Sequence, residues 1–126
     1  MIAILLGCEE EQEPVADFAV IGVSPDDGGI AIEVDPVFLR LNADPDMDRC
    51  NTDTIELNAI NDDGSVAFFV PSELSLQEEE GNLRVAGLDA FLNGWTYAVT
   101  VMGGENGCAD VDGRPITAFL STFEVP

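Results

Sequence analysis

Along most of this chain apolar and polar residues alternate with a period of two, the spacing that turns one face of an extended strand inward and the other toward water. Val37, Leu39 and Leu41 alternate with Phe38, Arg40 and Asn42, and Ile55, Leu57 and Ala59 alternate with Thr54, Glu56 and Asn58. The same pattern places Ile30, Ile32 and Val34 on an inward face, then Tyr97, Val99 and Val101, and finally Phe119, Ser121, Phe123 and Val125. Phe18 to Val23, Val66 to Val70 and Leu83 to Leu88 are shorter strand candidates. Between the runs stand Ser24-Pro25-Asp26-Asp27-Gly28-Gly29, Asn61-Asp62-Asp63-Gly64-Ser65, Glu80-Gly81-Asn82 and Gly103-Gly104-Glu105-Asn106-Gly107. Gly, Asn and Asp tolerate the positive φ of tight turns, so these clusters read as strand connections. Helical spacing is nowhere sustained; Asp44 to Asn51 and Pro71 to Gln77 could each form one helical turn. Seven to eight short strands spaced in this way predict an all-β fold, an antiparallel β-sandwich in a single domain. No segment repeats another.

Charge narrows what such a sandwich can do. The 126 residues carry 25 acids against four arginines, Arg40, Arg49, Arg84 and Arg114, with no lysine and no histidine, for a formal net charge of −21. Nucleic acid is excluded as a partner, because phosphate binding depends on clustered Lys and Arg, and anionic lipid surfaces are equally poor partners. Without histidine there is no Ser–His or Cys–His nucleophile pair and no imidazole ligand for a metal. Carboxylate chemistry remains.

The N-terminus bears on location. Leu5-Leu6-Gly7-Cys8, followed at once by Glu9-Glu10-Glu11-Gln12-Glu13-Pro14, resembles a bacterial lipobox, where a signal peptidase cuts before a cysteine whose thiol carries a diacylglycerol. Met1 to Gly7 lacks Lys and Arg and is short beside an export signal of charged start plus about 7–15 apolar residues, so residues 1–7 read as a truncated lipoprotein signal peptide. Residues 8–17 read as an acidic tether, since charges packed that closely cannot bury apolar surface, and residues 18–126 as the sandwich. The resemblance implies lipidation at Cys8 and an exported lipoprotein facing the periplasm or cell surface. Its contact with the membrane would be through the lipid anchor only, since no later segment approaches the roughly 18 apolar residues of a membrane span. The alternative is an apolar end that packs on a neighbouring strand.

Several pieces, taken in order, resemble the SbsA-type Ig-like domain of bacterial surface proteins. Val20-Ile21-Gly22-Val23-Ser24-Pro25-Asp26-Asp27-Gly28-Gly29-Ile30-Ala31-Ile32 is similar to its opening, a strand, Ser-Pro-x-x-Gly and a second strand. Val37 to Asp48 looks like its apolar strand running into an Asp/Pro-rich corner, and Leu92 to Val101 like its Leu-x-x-x-x-Tyr-x-Val-x-Val pattern. Asp110-Val111-Asp112-Gly113-Arg114-Pro115-Ile116 resembles the corner before its last strand, and Ser121-Thr122-Phe123 its ending. The resemblance implies an Ig-like sandwich from about Phe18 to Val125 and a non-enzymatic surface module. In that topology the loop with Cys50 follows the second core strand, the loop with Cys108 precedes the last one, and such loops cluster at one end. With Cys8 set aside, the resemblance and an oxidising location imply a Cys50–Cys108 disulfide; two buried free cysteines are the alternative. Such a bond, closing a loop of about 60 residues, would stabilise by about 4 kcal/mol on the chain-entropy model. Tyr97, opening a strand after a turn, is placed to act as a tyrosine corner, ring inward and hydroxyl on nearby backbone; a half-buried tyrosine of no special geometry is the alternative. Trp95 shares its face unless Asn93-Gly94 shifts the register, and reads as a plug at the core edge rather than a ligand platform.

The same expected pole is acidic. Asp44, Asp46 and Asp48 stand in one loop and Asp110 and Asp112, with Glu105, in the other; clustered carboxylates and turn carbonyls are the oxygen ligands calcium prefers. These acids are the candidate metal site, and no other cofactor is expected. An EF-hand is excluded, since Arg49 and Ile55 occupy the places of its glycine and its bidentate glutamate. The reading that follows is a non-enzymatic, lipid-anchored envelope module for adhesion, for binding an envelope protein or glycan, or for structural spacing. A calcium-binding extracellular domain is the alternative. A carboxylate-dependent glycoside hydrolase, which needs two acids about 5–10 Å apart in a cleft, ranks last, because no aromatic cluster beyond Trp95 and Tyr97 marks a sugar platform.

Overall fold

The computed structural model describes residues 17–31, 36–77, 82–88 and 91–126. The lipobox with Cys8 and the tether up to residue 16, together with Ile32, Val34 and Glu78 to Glu80, lie outside the described residues. Nine strands are described: β1 (Val20–Ser24), β2 (Gly29–Ile30), β3 (Pro36–Leu41), β4 (Ile55–Ile60), β5 (Val66–Val70), β6 (Ser72–Leu76), β7 (Asn82–Gly87), β8 (Trp95–Val101) and β9 (Phe119–Val125). They form two sheets, β2-β9-β8-β4-β5 and β1-β3-β7-β6. All pairs are antiparallel except β2 with β9, which run parallel. The fold is thus an all-β sandwich. No helix occurs among the described residues, and none there is long and apolar enough to cross a membrane.

The core is made where the two alternating patterns meet. Val37, Leu39 and Leu41 of β3 with Leu83 and Val85 of β7 form one wall; Ile55, Leu57, Tyr97, Val99, Val101, Phe123 and Val125 form the other, all buried. Each such aliphatic or aromatic side chain contributes about 1.5–3 kcal/mol by leaving water. At the start of the domain Phe18 is buried, and Asn42 clamps the incoming chain, accepting from the Ala19 N–H at 2.9 Å and donating to the Asp17 carbonyl at 2.7 Å. The turn between β1 and β2 is tied to the last strand by Asp27, whose Oδ1 accepts from the Thr122 N–H at 3.0 Å and the Ser121 hydroxyl at 3.1 Å. Those two donors, Thr122 first, hold the Asp27 carboxyl below the usual range.

Two expectations need correction. Pro71 to Gln77 does not form a helical turn: Ser72 to Leu76 is strand β6, paired through Leu74↔Val85 and Leu76↔Leu83. Pro71 has no N–H to continue the β5 ladder, so the chain leaves one sheet there and enters the other. Ile30 does not face inward: it is 65% exposed while Ala31 is 7% exposed. Its register with β9 aligns it with the exposed Glu124, on the outer face of the sheet. The Asp44 to Asn51 segment, otherwise turns and bends, closes a single turn of helical spacing, the Cys50 N–H donating to the Asp46 carbonyl at 2.7 Å.

A disulfide-stapled acidic pole as the candidate functional site

The loop after β3 and the loop between β8 and β9 meet at one pole, and Cys50 and Cys108 join them in a disulfide. Both cysteines are fully buried. Backbone bonds zip the loops on either side of it: Asp46 N–H donates to Ala109 O at 2.9 Å, Val111 N–H to Asp44 O at 3.0 Å, and Pro45 bridges to Asp110. Farther out, the Arg49 guanidinium donates to the Glu105 carbonyl at 2.6 Å. Close approach dictates the glycine at 107, where a Cβ would collide with the Met102 and Gly103 carbonyl oxygens.

The predicted acids divide by role. Asp110 is buried, 1% exposed, and is occupied as an acceptor. Its Oδ1 takes the Arg114 N–H at 2.8 Å and the Asp112 N–H at 3.0 Å, and its Oδ2 takes the Arg114 Nε at 2.6 Å. Burial is the largest single influence on its carboxyl and acts upward. The Arg114 N–H, the Arg114 guanidinium and the Asp112 N–H together outweigh it and hold Asp110 below the usual carboxylate range. Gly113, at φ 86°, is the left-handed residue that turns the chain so that Arg114 returns to Asp110. Asp46 is also engaged, its Oδ1 accepting from the Asp48 N–H at 3.0 Å. Asp44, Asp48 and Asp112 are exposed. The structure therefore brings both loops to one pole without converging these carboxylates: among the described residues no group of three or more His, Cys, Asp or Glu side chains could hold a metal ion. What the sequence reading missed is the partnership of Asp110 with Arg114. The Asp-x-x-Gly-Arg spacing is its only trace.

Toward the other end of β8, Tyr97 is 1% exposed and its hydroxyl accepts from the Leu92 N–H at 2.7 Å. Its ring lies 4.6 Å from that of Phe91 and 5.8 Å, stacked, from that of Phe123. Trp95 is half-buried on the same face, edge-on to Phe68 at 5.1 Å. Tyr97→Phe keeps the ring and orphans the Leu92 N–H, so it should cost about 1–2 kcal/mol in urea unfolding; a change near zero would mean that water replaces the hydroxyl.

No family model matches the sequence, and no curated protein sequence matches it either. Its fold is nonetheless shared by solved structures. The copper resistance protein PcoC from Escherichia coli, described as methionine-rich, superposes with a TM-score of 0.70 at 12% identity, over 88% of this chain and 100% of that one. CopC from Methylosinus trichosporium OB3b matches with a TM-score of 0.58 at 15% identity, over 86% of this chain and 92% of that one. The S-layer protein SbsC matches with a TM-score of 0.62 at 14% identity over 86% of this chain, which spans only 14% of that protein. At these identities the likeness is one of fold: the chain shares its β-sandwich with part of an S-layer protein, with PcoC and with CopC.

Proposed function

We propose that this chain is a non-enzymatic module of the bacterial cell envelope, an SbsA-type Ig-like sandwich anchored through lipid on Cys8. On its acidic tether it would hold or recognise an envelope protein or glycan. The observation that carries this reading is the buried Cys50–Cys108 disulfide, because such bonds form and persist in oxidising compartments outside the cytoplasm. The S-layer and copper resistance neighbours support an envelope setting by analogy of fold. Copper binding is not carried over, since the chain has no histidine to supply the imidazole donors that suit copper. The calcium alternative rests on Asp44, Asp48 and Asp112 alone, because Asp110 and Asp46 already serve the loops. Hydrolase chemistry has less support still. A glycosidase acid needs a raised pKa, whereas Asp27, Asp63 and Asp110 are all lowered.

The anchor is tested in the native host, with the gene at its own locus. The wild-type protein should incorporate labelled palmitate and enter the detergent phase on Triton X-114 partition, and Cys8→Ser should abolish both. An unlabelled wild-type protein in the cytoplasmic fraction would overturn the reading.

A further inference from the structure

Strand β5 ends its sheet, paired with β4 on one side and with no described strand on the other. The phase of the ladder fixes what its open side presents. Met102 N–H donates to the Thr54 carbonyl at 2.8 Å, in line with the Ile55↔Val101 register. In an antiparallel ladder successive residues aim their backbone groups to opposite sides. Glu56 and Asn58 therefore face β8, while Leu57 and Ala59 face β5, which makes Leu57↔Val70 and Ala59↔Phe68 the bonded pairs. Phe69, between them, turns its N–H and C=O outward. A register shift near Val66 and the missing N–H of Pro71 confine the open stretch to a few residues. From Ser65 to Ser72 no residue is charged, in a chain with 25 acids. Val66 is 58% and Phe69 52% exposed, where natural edges are commonly guarded by charge. Beside the edge a cleft of about 320 Å³ is walled by Phe68, Phe69, Pro71, Phe91 and Leu92. Phe68 meets Trp95 edge-on, and Trp95 borders a second hollow of about 490 Å³ flanked by Asp62 and Asp63. Asp63 accepts from the Ser65 N–H at 2.9 Å; Asp62 is exposed, as is Glu73 past the other end of β5. Strand β1 is also an uncharged edge, but the hollow beside it holds Arg40.

We infer that the open side of β5 binds one short extended segment of a basic partner protein, in which apolar residues alternate with Lys or Arg. Outward N–H and C=O groups on an edge are matched by another backbone, which joins the sheet as an added strand. The aromatic cleft beside the edge takes an aliphatic side chain of that strand, with the alternation of a pleat bringing every second residue to it. Charge selects the rest. A body at −21 attracts a cationic segment and repels an acidic one or a second copy of itself. Asp62 and Glu73 place that attraction at the two ends of β5, and a Trp ring beside carboxylates suits an ammonium or guanidinium. This deepens the protein-binding side of the proposed function and rests on it for the setting in which such a partner is met; the site stands on its own residues.

The test is calorimetric titration of the purified full chain with a capped Lys-Val-Lys-Val-Lys-Val-Lys peptide. N-methyl groups on alternate amides separate strand pairing from charge: methylation of one set should abolish binding and methylation of the other should leave it, at identical peptide charge. Phe69→Pro removes an outward N–H and no bond to β4, a place where an edge strand tolerates proline, and should weaken binding by about tenfold or more. Phe69→Lys, which keeps the N–H and sets a cation on the edge, should weaken it too, and Asp62→Asn with Glu73→Gln should weaken it by about threefold. Circular dichroism should be unchanged in each. Absence of peptide binding, equal binding of the two methylated peptides, equal binding of a peptide with Glu in place of Lys, binding undiminished in Phe69→Lys, or self-association of the chain that Phe69→Lys abolishes would each overturn the inference. Peptide binding by a chain that takes up no palmitate would keep the edge site and remove the anchored envelope module; a labelled, membrane-bound chain that leaves the peptide unbound would do the reverse.

Discussion

Replacing Cys50 and Cys108 together by alanine should destabilise the domain by about 4 kcal/mol, the chain-entropy value for a bond between cysteines separated by 58 residues. Against the 5–15 kcal/mol of an ordinary domain that is a large fraction, and the melting temperature should fall by roughly 15–25 °C. Reduction of the wild type before unfolding should give a similar loss. The bonds beside the disulfide, such as Asp46 N–H to Ala109 O, remain available in the variant, but the outer contact of Arg49 with the Glu105 carbonyl should loosen. Amide exchange in the two loops should accelerate before exchange in β4 or β8 does. A loss below about 1 kcal/mol would mean that the zipped loops hold the pole without the bond, contrary to the loop-closure argument.

Asp110→Ala should cost about 3 kcal/mol. It removes the acceptor of the Asp112 N–H, the Arg114 N–H and the Arg114 guanidinium at once, and each buried donor left without a partner costs about 1–3 kcal/mol. The upper end is not reached because Arg114 is 39% exposed and water can solvate it. Asp110→Asn, which keeps one acceptor oxygen, should cost less. Wild type and Asp110→Asn also separate by pH. The folded carboxyl of Asp110 titrates below its unfolded counterpart, so its stabilisation is complete above the unfolded value near about 4. That stabilisation drains away as pH falls through the folded value. Asp27 and Asp63, whose carboxyls are also held low, act in the same direction. Wild-type stability should therefore fall as pH drops below about 4, with a shallower acid fall in Asp110→Asn. Parallel acid limbs in the two proteins would assign the fall to other groups.

Sequence reading reached the strands because a pleat has a period that residue order must carry. Val37, Leu39 and Leu41 fall on the buried face for the same reason that they alternate in the text of the chain. The pairing of Cys50 with Cys108 was implied by the resemblance to an Ig-like topology, in which the loop after the second core strand and the loop before the last strand lie at one end. The face of Ile30 was not legible: a strand as short as Gly29–Ile30 takes its orientation from its partner, and the parallel register with β9 is invisible locally. Ser72 to Leu76 was ambiguous for a similar reason. Five residues suit a helical turn or a strand equally well until a neighbour supplies the ladder.

Local order along the chain by itself determined an all-β sandwich, its turns and its lack of histidine chemistry, because periodicity, glycine tolerance and composition are properties of neighbouring residues. Only the tertiary structure decided which acid is buried and which are solvated, and which loops lie against each other. Asp110 is buried where Pro45 of the other loop bridges to it, and Arg49 reaches across to the Glu105 carbonyl. Charge and burial are set by those long-range approaches, and no period in the sequence encodes them.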